Sequence, residues 1–156
     1  MNDKERPYTL HTNRELPMML AGSKPLAVFA HERVEGFEKS DALAGQDFAP
    51  HVADGTLSEH VRTFQISLRD GAKLDVDYWF YTLKGQEWRV EAYSLLLELL
   101  HRGAWCPQLE WLQGKLLGYT DEQNSHHLSQ RKHLGASVGN EDFWTAPSVD
   151  RPIPGE

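Results

Sequence analysis

Residues 64–81, FQISLRDGAKLDVDYWFY, decide how the middle of this chain folds. On both sides of a short turn, apolar and polar residues alternate with the two-residue period of a β-strand. Asp70-Gly71 marks the turn, because this pair favours the backbone conformations that reverse a hairpin. The stretch therefore predicts a hairpin with antiparallel strands over 57–69 and 73–83.

The length of the turn follows from which residues must face each other. A two-residue loop would pair Ile66 with Asp75 and place a carboxylate on the apolar face. A three-residue loop at 69–71 pairs Ile66 with Leu74 instead, so that both lie on one apolar face. We therefore predict the three-residue turn, with Gly71 in the left-handed conformation.

Hydrophobic periodicity and helix-end signals place the remaining elements. A short apolar run predicts a buried strand at 25–31. The Leu-rich stretch at 87–102 is too long for a strand and predicts a helix. Proline-first and glycine-last signals bound a helix at 107–117, and a polar helix follows at 121–134. We predict an α+β fold, in which the helices at 87–102 and 107–117 cover one face of a small antiparallel sheet.

The length of 156 residues is enough for one domain with a substantial core. Both ends of the chain are polar or contain glycine and proline. We predict a disordered N-terminus over 1–8, one globular domain over 9–135 and a C-terminal tail over 136–156.

Composition narrows the class of protein. Sixteen basic and 23 acidic residues give a net charge of −7, which disfavours binding to nucleic acid. The single cysteine, Cys106, rules out an intramolecular disulfide and a cysteine-based zinc site. The N-terminus has no apolar run of the kind a secretion signal needs, and no run is long enough to span a bilayer. We expect a cytoplasmic protein with no membrane partner, no nucleic-acid partner and no cofactor.

Arg89 is the residue that the helix at 87–102 does not explain. On a helix, Glu87 and Glu91 share a polar stripe, and Arg89 lies among apolar residues away from it. If residues 86–91 formed a strand, all three charges would instead lie on one face. Within a helix the guanidinium needs a partner, because an unpaired buried charge is costly. That partner is either a carboxylate of the protein or an anionic ligand. The candidate carboxylates are Glu32, Glu35, Asp75 and Asp77.

Two carboxylates on the second hairpin strand suggest a possible binding face. Asp75 and Asp77 point the same way and lie about 6–7 Å apart, a spacing seen in acid/base pairs. Trp79 and Tyr81 continue this face as a possible stacking platform. A solvated strand surface has the same pattern. Together with Arg89 and Glu91, these residues are the ligand-binding candidates.

A metal site is not predicted. Glu122 and His126 have a four-residue helical spacing and could supply two ligands, but nothing in the sequence selects the others. His133 is about 10.5 Å from His126 along a helix, too far for one zinc ion.

Two classes of function remain open, and no motif names a reaction. The first is a non-enzymatic protein-interaction or regulatory module that binds a partner through exposed aromatic residues, since the chain has five tryptophans. The alternative is a small-molecule-binding protein or small enzyme, with an anionic ligand held by Arg89 between the sheet and the helices. In that case Asp75, Asp77 or Glu91 would be the acid/base candidates.

Overall fold

The computed structural model describes residues 8–134, so nearly all of the predicted N-terminal segment 1–8 and the whole tail 136–156 lie outside the described residues. The described part contains one antiparallel sheet and helices, which confirms the α+β class. None of these helices has the length and apolar character needed to cross a bilayer. The elements are α1 (Glu15–Leu20), β1 (Leu26–Glu32), α2 (Lys39–Ala42), α3 (Ala49–Ala53), β2 (Leu57–Ser67), β3 (Lys73–Leu83), α4 (Trp88–His101), α5 (Pro107–Leu117) and α6 (Asp121–Leu134).

The hairpin has the predicted register. The strand order is β1-β3-β2, and both neighbouring pairs are antiparallel. Ile66 lies opposite Leu74. The backbone N–H of Leu68 donates to the carbonyl of Ala72 at 2.8 Å, and Gly71 has a φ of 84°. The three-residue turn with a left-handed glycine is therefore confirmed.

One face of the sheet packs against α4 and α5, as predicted. Val76, Tyr78 and Phe80 alternate along β3, and all three are fully buried. The two helices contribute apolar side chains to the same core, among them Val90, Tyr93, Leu96, Leu97, Leu116 and Leu117. The burial of these aliphatic and aromatic groups is the main favourable term for the fold.

The other face of the sheet is partly covered by the short helices α1 to α3. Phe48 stacks on Tyr81 with ring centroids 4.0 Å apart, and Met19 and Phe29 belong to the same buried cluster. Helix α2 lies within residues 32–47, whose charged and glycine-containing sequence predicts a long connection. A helix of four residues is too short to show a helical period in sequence, which is why α2 was missed.

Thr12 and Glu15 have capping-box spacing, which predicts a local cap at the start of a short helix that ends at Gly22. The helix instead begins at Glu15, its N-cap residue Arg14 makes no capping side-chain bond, and the backbone N–H of Leu16 donates to Oε1 of Gln46 at 2.8 Å. Asn13 adopts a positive φ of 63°, which turns the chain just before the helix. The Glu15 carboxylate accepts a hydrogen bond from the Gln46 side chain at 2.7 Å instead. A tertiary contact has replaced the local cap.

Candidate protein-docking surface

Helix α4 has an apolar face that points away from the sheet. Trp88, Leu95 and Leu99 are 57, 63 and 43% exposed, and half-buried Ala92 lies between them. Their three- and four-residue spacing places the four side chains within about 60° of each other around the helix. We call these four residues the α4 stripe. It runs for about 16 Å along the helix axis.

The opposite face of α4 is already used by the core. Val90, Tyr93, Leu97 and Leu100 are buried against the sheet. A helix with apolar residues on two faces leaves one of them without an apolar contact unless another element or another protein covers it. Within the described residues no element covers the α4 stripe, as the exposure of its large side chains shows.

Helix α5 lies beside α4 and carries one exposed apolar residue. The Gln113 side chain donates to the hydroxyl of Tyr93 at 2.8 Å, on the core side of α4, and joins the middle of the two helices. Leu112, the neighbour of Gln113 in sequence, is 45% exposed. The exposed apolar surface of the two helices is therefore mainly the α4 stripe.

Arg89 caps the C-terminal end of α5. Its Nη1 donates to the carbonyls of Lys115 and Leu116 at 3.0 Å each, and its Nε donates to Oε1 of Gln86 at 2.7 Å. The last carbonyls of a helix have no partner within the helix, so a side-chain donor satisfies them. A cation is also favoured at this end of the helix dipole. Arg89 thus joins the start of α4 to the end of α5.

The same guanidinium lies against the ring of Trp88. Its central carbon is 4.8 Å from the ring centroid, within the range of a cation–π contact. Partial burial lowers the pKa of Arg89, but a guanidinium remains protonated in proteins. Because Arg89 is held by three hydrogen bonds, it provides a fixed surface behind the exposed indole.

The predicted carboxylate partner of Arg89 is wrong. Among the described residues its partners are carbonyl and amide oxygens, and Arg89 lies within α4 rather than on a strand. Asp77 instead binds Arg33, whose Nε and Nη2 donate to the two carboxylate oxygens at 2.8 Å each. The Thr63 hydroxyl donates to the same group at 2.6 Å. These hydrogen bonds hold the pKa of Asp77 below its usual range. The Nη1 of Arg33 is also 3.8 Å from Asp75.

The other sequence candidates lie at separate places. Trp79 is partly buried beneath Lys39, whose Nζ is 3.6 Å from the ring centroid. Tyr81 is buried in the core beneath α1 to α3. Glu91 is exposed on α4 and accepts a hydrogen bond from Arg62. The structure therefore does not bring Asp75, Asp77, Trp79, Tyr81 and Glu91 together around Arg89.

A buried polar cluster that the sequence analysis did not identify lies on the other side of the α5 terminus. The side chain of Lys24 is 2% exposed, and its Nζ donates to the carbonyl of Leu117 at 2.8 Å. The same Nζ lies 3.0 Å from Nδ1 of His11, whose ring stacks on Tyr119. Burial lowers the pKa of Lys24 to about 7. Burial and the nearby Lys24 lower the pKa of His11 to about 3.

A small cavity adjoins this cluster. Its volume is about 10 Å³, which is room for roughly one water molecule. The lining residues are His11, Thr12, Glu15, Lys24, Val28, Leu117 and Tyr119. Lys24 therefore acts as a second side-chain cap of α5, in addition to Arg89. No local pattern marks it, because its carbonyl partner lies 93 residues later in the chain.

Two histidines of α6, His126 and His127, contact other side chains of this chain. His126 packs edge-on against Tyr8, with ring centroids 5.8 Å apart, and Nε2 of His127 lies 2.6 Å from Oε1 of Glu110. The side chain of His133 lies outside the described residues. In the part of the chain whose side chains are described, no three His, Cys, Asp or Glu residues are close enough to share a metal ion.

No family model, curated protein or solved structure matches this chain. Its own surface is therefore the basis for inferring a function. Nine large apolar side chains are exposed in the described part, and three of them lie on the α4 stripe. No other element of that part carries so many, so the α4 stripe is the leading candidate for a binding surface.

Replacing Arg89 with methionine is expected to lower the free energy of unfolding by roughly 2–3 kcal/mol, because two carbonyls of α5 and the Gln86 side chain lose their donor. Urea unfolding followed by circular dichroism measures the change. Arg102→Met is the matched control, since Arg102 is exposed at the other end of α4 and is expected to change stability by less than about 0.5 kcal/mol. Equal losses at the two positions would contradict the capping role.

Proposed function

We propose that this chain is a non-enzymatic, cytoplasmic protein-binding module whose α4 stripe receives an amphipathic helix of a partner protein. The observation that carries the proposal is the exposure of Trp88, Leu95 and Leu99 at helical spacing on a helix whose other face is in the core. Tryptophan is among the residues that most often dominate the binding energy of protein interfaces, and apolar neighbours exclude water from around it.

The shape of the surface favours a helix as the bound element. The α4 stripe is a row of apolar side chains on one exposed helix face, and the apolar face of an amphipathic helix presents a matching row. A partner helix of about three turns matches the length of about 16 Å along the stripe. Its anchors are expected at the first, fourth or fifth, and eighth positions of that helix.

The charges beside the stripe indicate the chemistry of the partner. Glu87, Glu91 and Glu98 lie along one side of it, about 60–100° around the helix from Trp88. Arg62 pairs with Glu91, whereas the exposed carboxylate of Glu98 has no bonded partner among the described residues. We therefore infer that the partner helix carries lysine or arginine along one flank, which would set its orientation and speed its association.

The same charges argue against an antiparallel second copy of α4 as the occupant. Two α4 helices packed antiparallel would place one row of glutamates, Glu87, Glu91 and Glu98, against the other row. Like charges that face each other across an interface oppose binding. A different protein with basic residues has no such conflict.

Arg89 prepares the surface for binding. The guanidinium behind Trp88 restricts the indole before the partner arrives, so less side-chain entropy is lost on binding. The alternative function, an anionic small molecule held by Arg89, stays a prediction. We do not propose it, because Nε and Nη1 already donate to protein oxygens.

Selection from a displayed library of helical peptides tests the proposal directly. The peptides are selected on the native chain and counter-selected on Leu95→Asp. We expect enriched peptides to have apolar residues at helical spacing and basic residues on one flank. In fluorescence-anisotropy titrations of an enriched peptide, Trp88→Ala and Leu95→Ala are each expected to raise Kd at least tenfold, or about 1.4 kcal/mol.

Phe37→Ala is the control for the loss of an exposed aromatic elsewhere. Phe37 is 44% exposed, follows β1 and is not part of α4 or α5, so its removal should leave Kd unchanged. The proposal fails if no peptide is enriched on the native chain over Leu95→Asp. It also fails if Phe37→Ala weakens binding as much as Trp88→Ala, and enrichment of acidic peptides would overturn the inferred charge of the partner.

A further inference from the structure

The outer edge of β2 exposes a row of backbone groups. This strand has eleven residues and, within residues 8–134, pairs with β3 on one side only. The N–H of Leu68 donates to Ala72 on the inner side, and successive residues of an antiparallel strand alternate in direction. The backbone N–H and C=O groups of even-numbered residues in β2 therefore form hydrogen bonds with β3. Those of odd-numbered residues point outward, away from β3.

The carbonyl of Val61 supports this assignment. It accepts a hydrogen bond from the Arg62 side chain at 3.0 Å, which is possible because the carbonyl points away from β3. The outward residues between the strand ends are exposed, so no described element covers the edge; they are Glu59, Val61, Thr63 and Gln65. A long open edge of this kind is a template for another strand.

We propose that two copies of this chain join through their β2 edges into one continuous six-stranded antiparallel sheet, with Thr63 on the two-fold axis. A symmetric pair uses the same surface on both copies, so one residue of β2 must lie on the axis opposite itself. The outward odd-numbered residues then exchange N–H and C=O hydrogen bonds between the copies. The residues near the middle of the strand are the candidates for that position.

Cross-strand charges select among these candidates. With Arg62 on the axis, two guanidinium groups would face each other directly. With Val61 on the axis, Arg62 of each copy would lie opposite His60 of the other, and this register forgoes the contact between Arg62 and Phe64 of the second copy. Both arrangements are disfavoured.

Placing Thr63 on the axis avoids like-charge pairs. Threonine then faces threonine, and Glu59 faces Ser67. Arg62 lies opposite Phe64 of the second copy, within reach of a cation–π contact. The carbonyl of Val61 exchanges its bond from Arg62 for a backbone N–H of the second copy.

Cysteine pairs test the register. In a Cys106→Ser background, single cysteines replace Val61, Thr63 or Gln65. Only the residue on the axis meets its own copy, at about 5.5 Å between Cα atoms, a distance that a disulfide spans. We expect Thr63→Cys alone to form a covalent dimer on mild oxidation. Val61→Cys and Gln65→Cys are expected to crosslink only when the two variants are mixed, because these positions face each other.

Sedimentation of the native chain tests the dimer without any substitution. For a Kd in the micromolar range, we expect most of the protein to sediment as a dimer at about 100 µM. Val61→Lys is expected to weaken the dimer at least tenfold, while Val34→Lys, at another exposed valine outside β2, leaves it unchanged. A native chain that sediments as a monomer overturns the proposal, and so does crosslinking of Val61→Cys alone. Trp88→Ala leaves this dimer intact, so the test is independent of the α4 stripe.

Discussion

A Gly118→Ala chain is expected to unfold at a much lower urea concentration than the native chain, with a loss of roughly 3 kcal/mol or more. Gly118 ends α5 with a φ of 94°, in the left-handed region that favours glycine. A β-carbon at this position would lie 2.5 Å from Cδ of Pro25, closer than atoms can approach. The proline ring is rigid and sits at the start of β1, so the contact cannot be relieved by rotating a side chain.

The Lys24 cap of α5 makes the fold more sensitive to a substitution at Gly118. Lys24 precedes Pro25 and bonds to the carbonyl of Leu117, so a displaced Pro25 would also disturb that buried hydrogen bond. Gly103→Ala is the matched control. Gly103 has a φ of 82° and follows α4, but a β-carbon added there would have no neighbouring atom within 4 Å among the described residues, so a loss of about 1 kcal/mol is expected. Equal losses for the two variants would show that backbone strain alone decides the outcome.

The free energy of unfolding is expected to rise by roughly 2–3 kcal/mol between pH 7 and pH 9.5 because of Lys24. Burial holds the pKa of Lys24 at about 7 in the folded chain, against 10.5 when it is exposed. Between these values the unfolded chain binds more protons, so raising the pH favours the folded state. The contribution of Lys24 to the free energy of unfolding is fully present above 10.5, the pKa of this lysine in the unfolded chain. It is lost as the pH falls toward 7. The window stops at pH 9.5, because tyrosines ionise in the unfolded chain near pH 10.

Urea unfolding at a series of pH values measures this dependence. Lys24→Met is expected to remove most of the slope, whereas Lys115→Met retains it, because Lys115 is exposed and pairs with Asp121. A flat profile for the native chain, or an unchanged slope in Lys24→Met, would contradict the assignment. His11 contributes in the same direction at lower pH. Folding lowers its pKa from 6.5 to about 3, so the free energy of unfolding also rises with pH between these values.

The hairpin could be predicted from local sequence because strand period and turn geometry are local. The side chains of Phe64, Ile66 and Leu74 must share one face, and only a three-residue turn achieves this. The bounds of α5 followed in the same way from Pro107 and Gly118. Helix α2 was missed, since a helix of four residues depends on tertiary packing for its stability and has no helical period of its own.

The binding candidates were harder to predict. The sequence marked Arg89 as a residue that needs a partner, but not that the partner would be the end of another helix. Asp77 was considered as a partner of Arg89, yet Arg33 binds its carboxylate instead. The exposure of Trp88 was also hidden, since the helical spacing shows only one broad apolar arc and not which part of it meets the sheet.

The sequence by itself therefore determined the α+β class, the hairpin register and the ends of α5 and α6. These follow from periodicity, turn chemistry and helix-end signals, all of which act over a few residues. Only the tertiary structure decided which side of α4 is left exposed. It also decided that Lys24 and Arg89 each bind a carbonyl at the end of α5. The physical reason is that burial and cation–carbonyl pairing depend on how distant segments pack, and the spacing of residues along a chain does not record that packing.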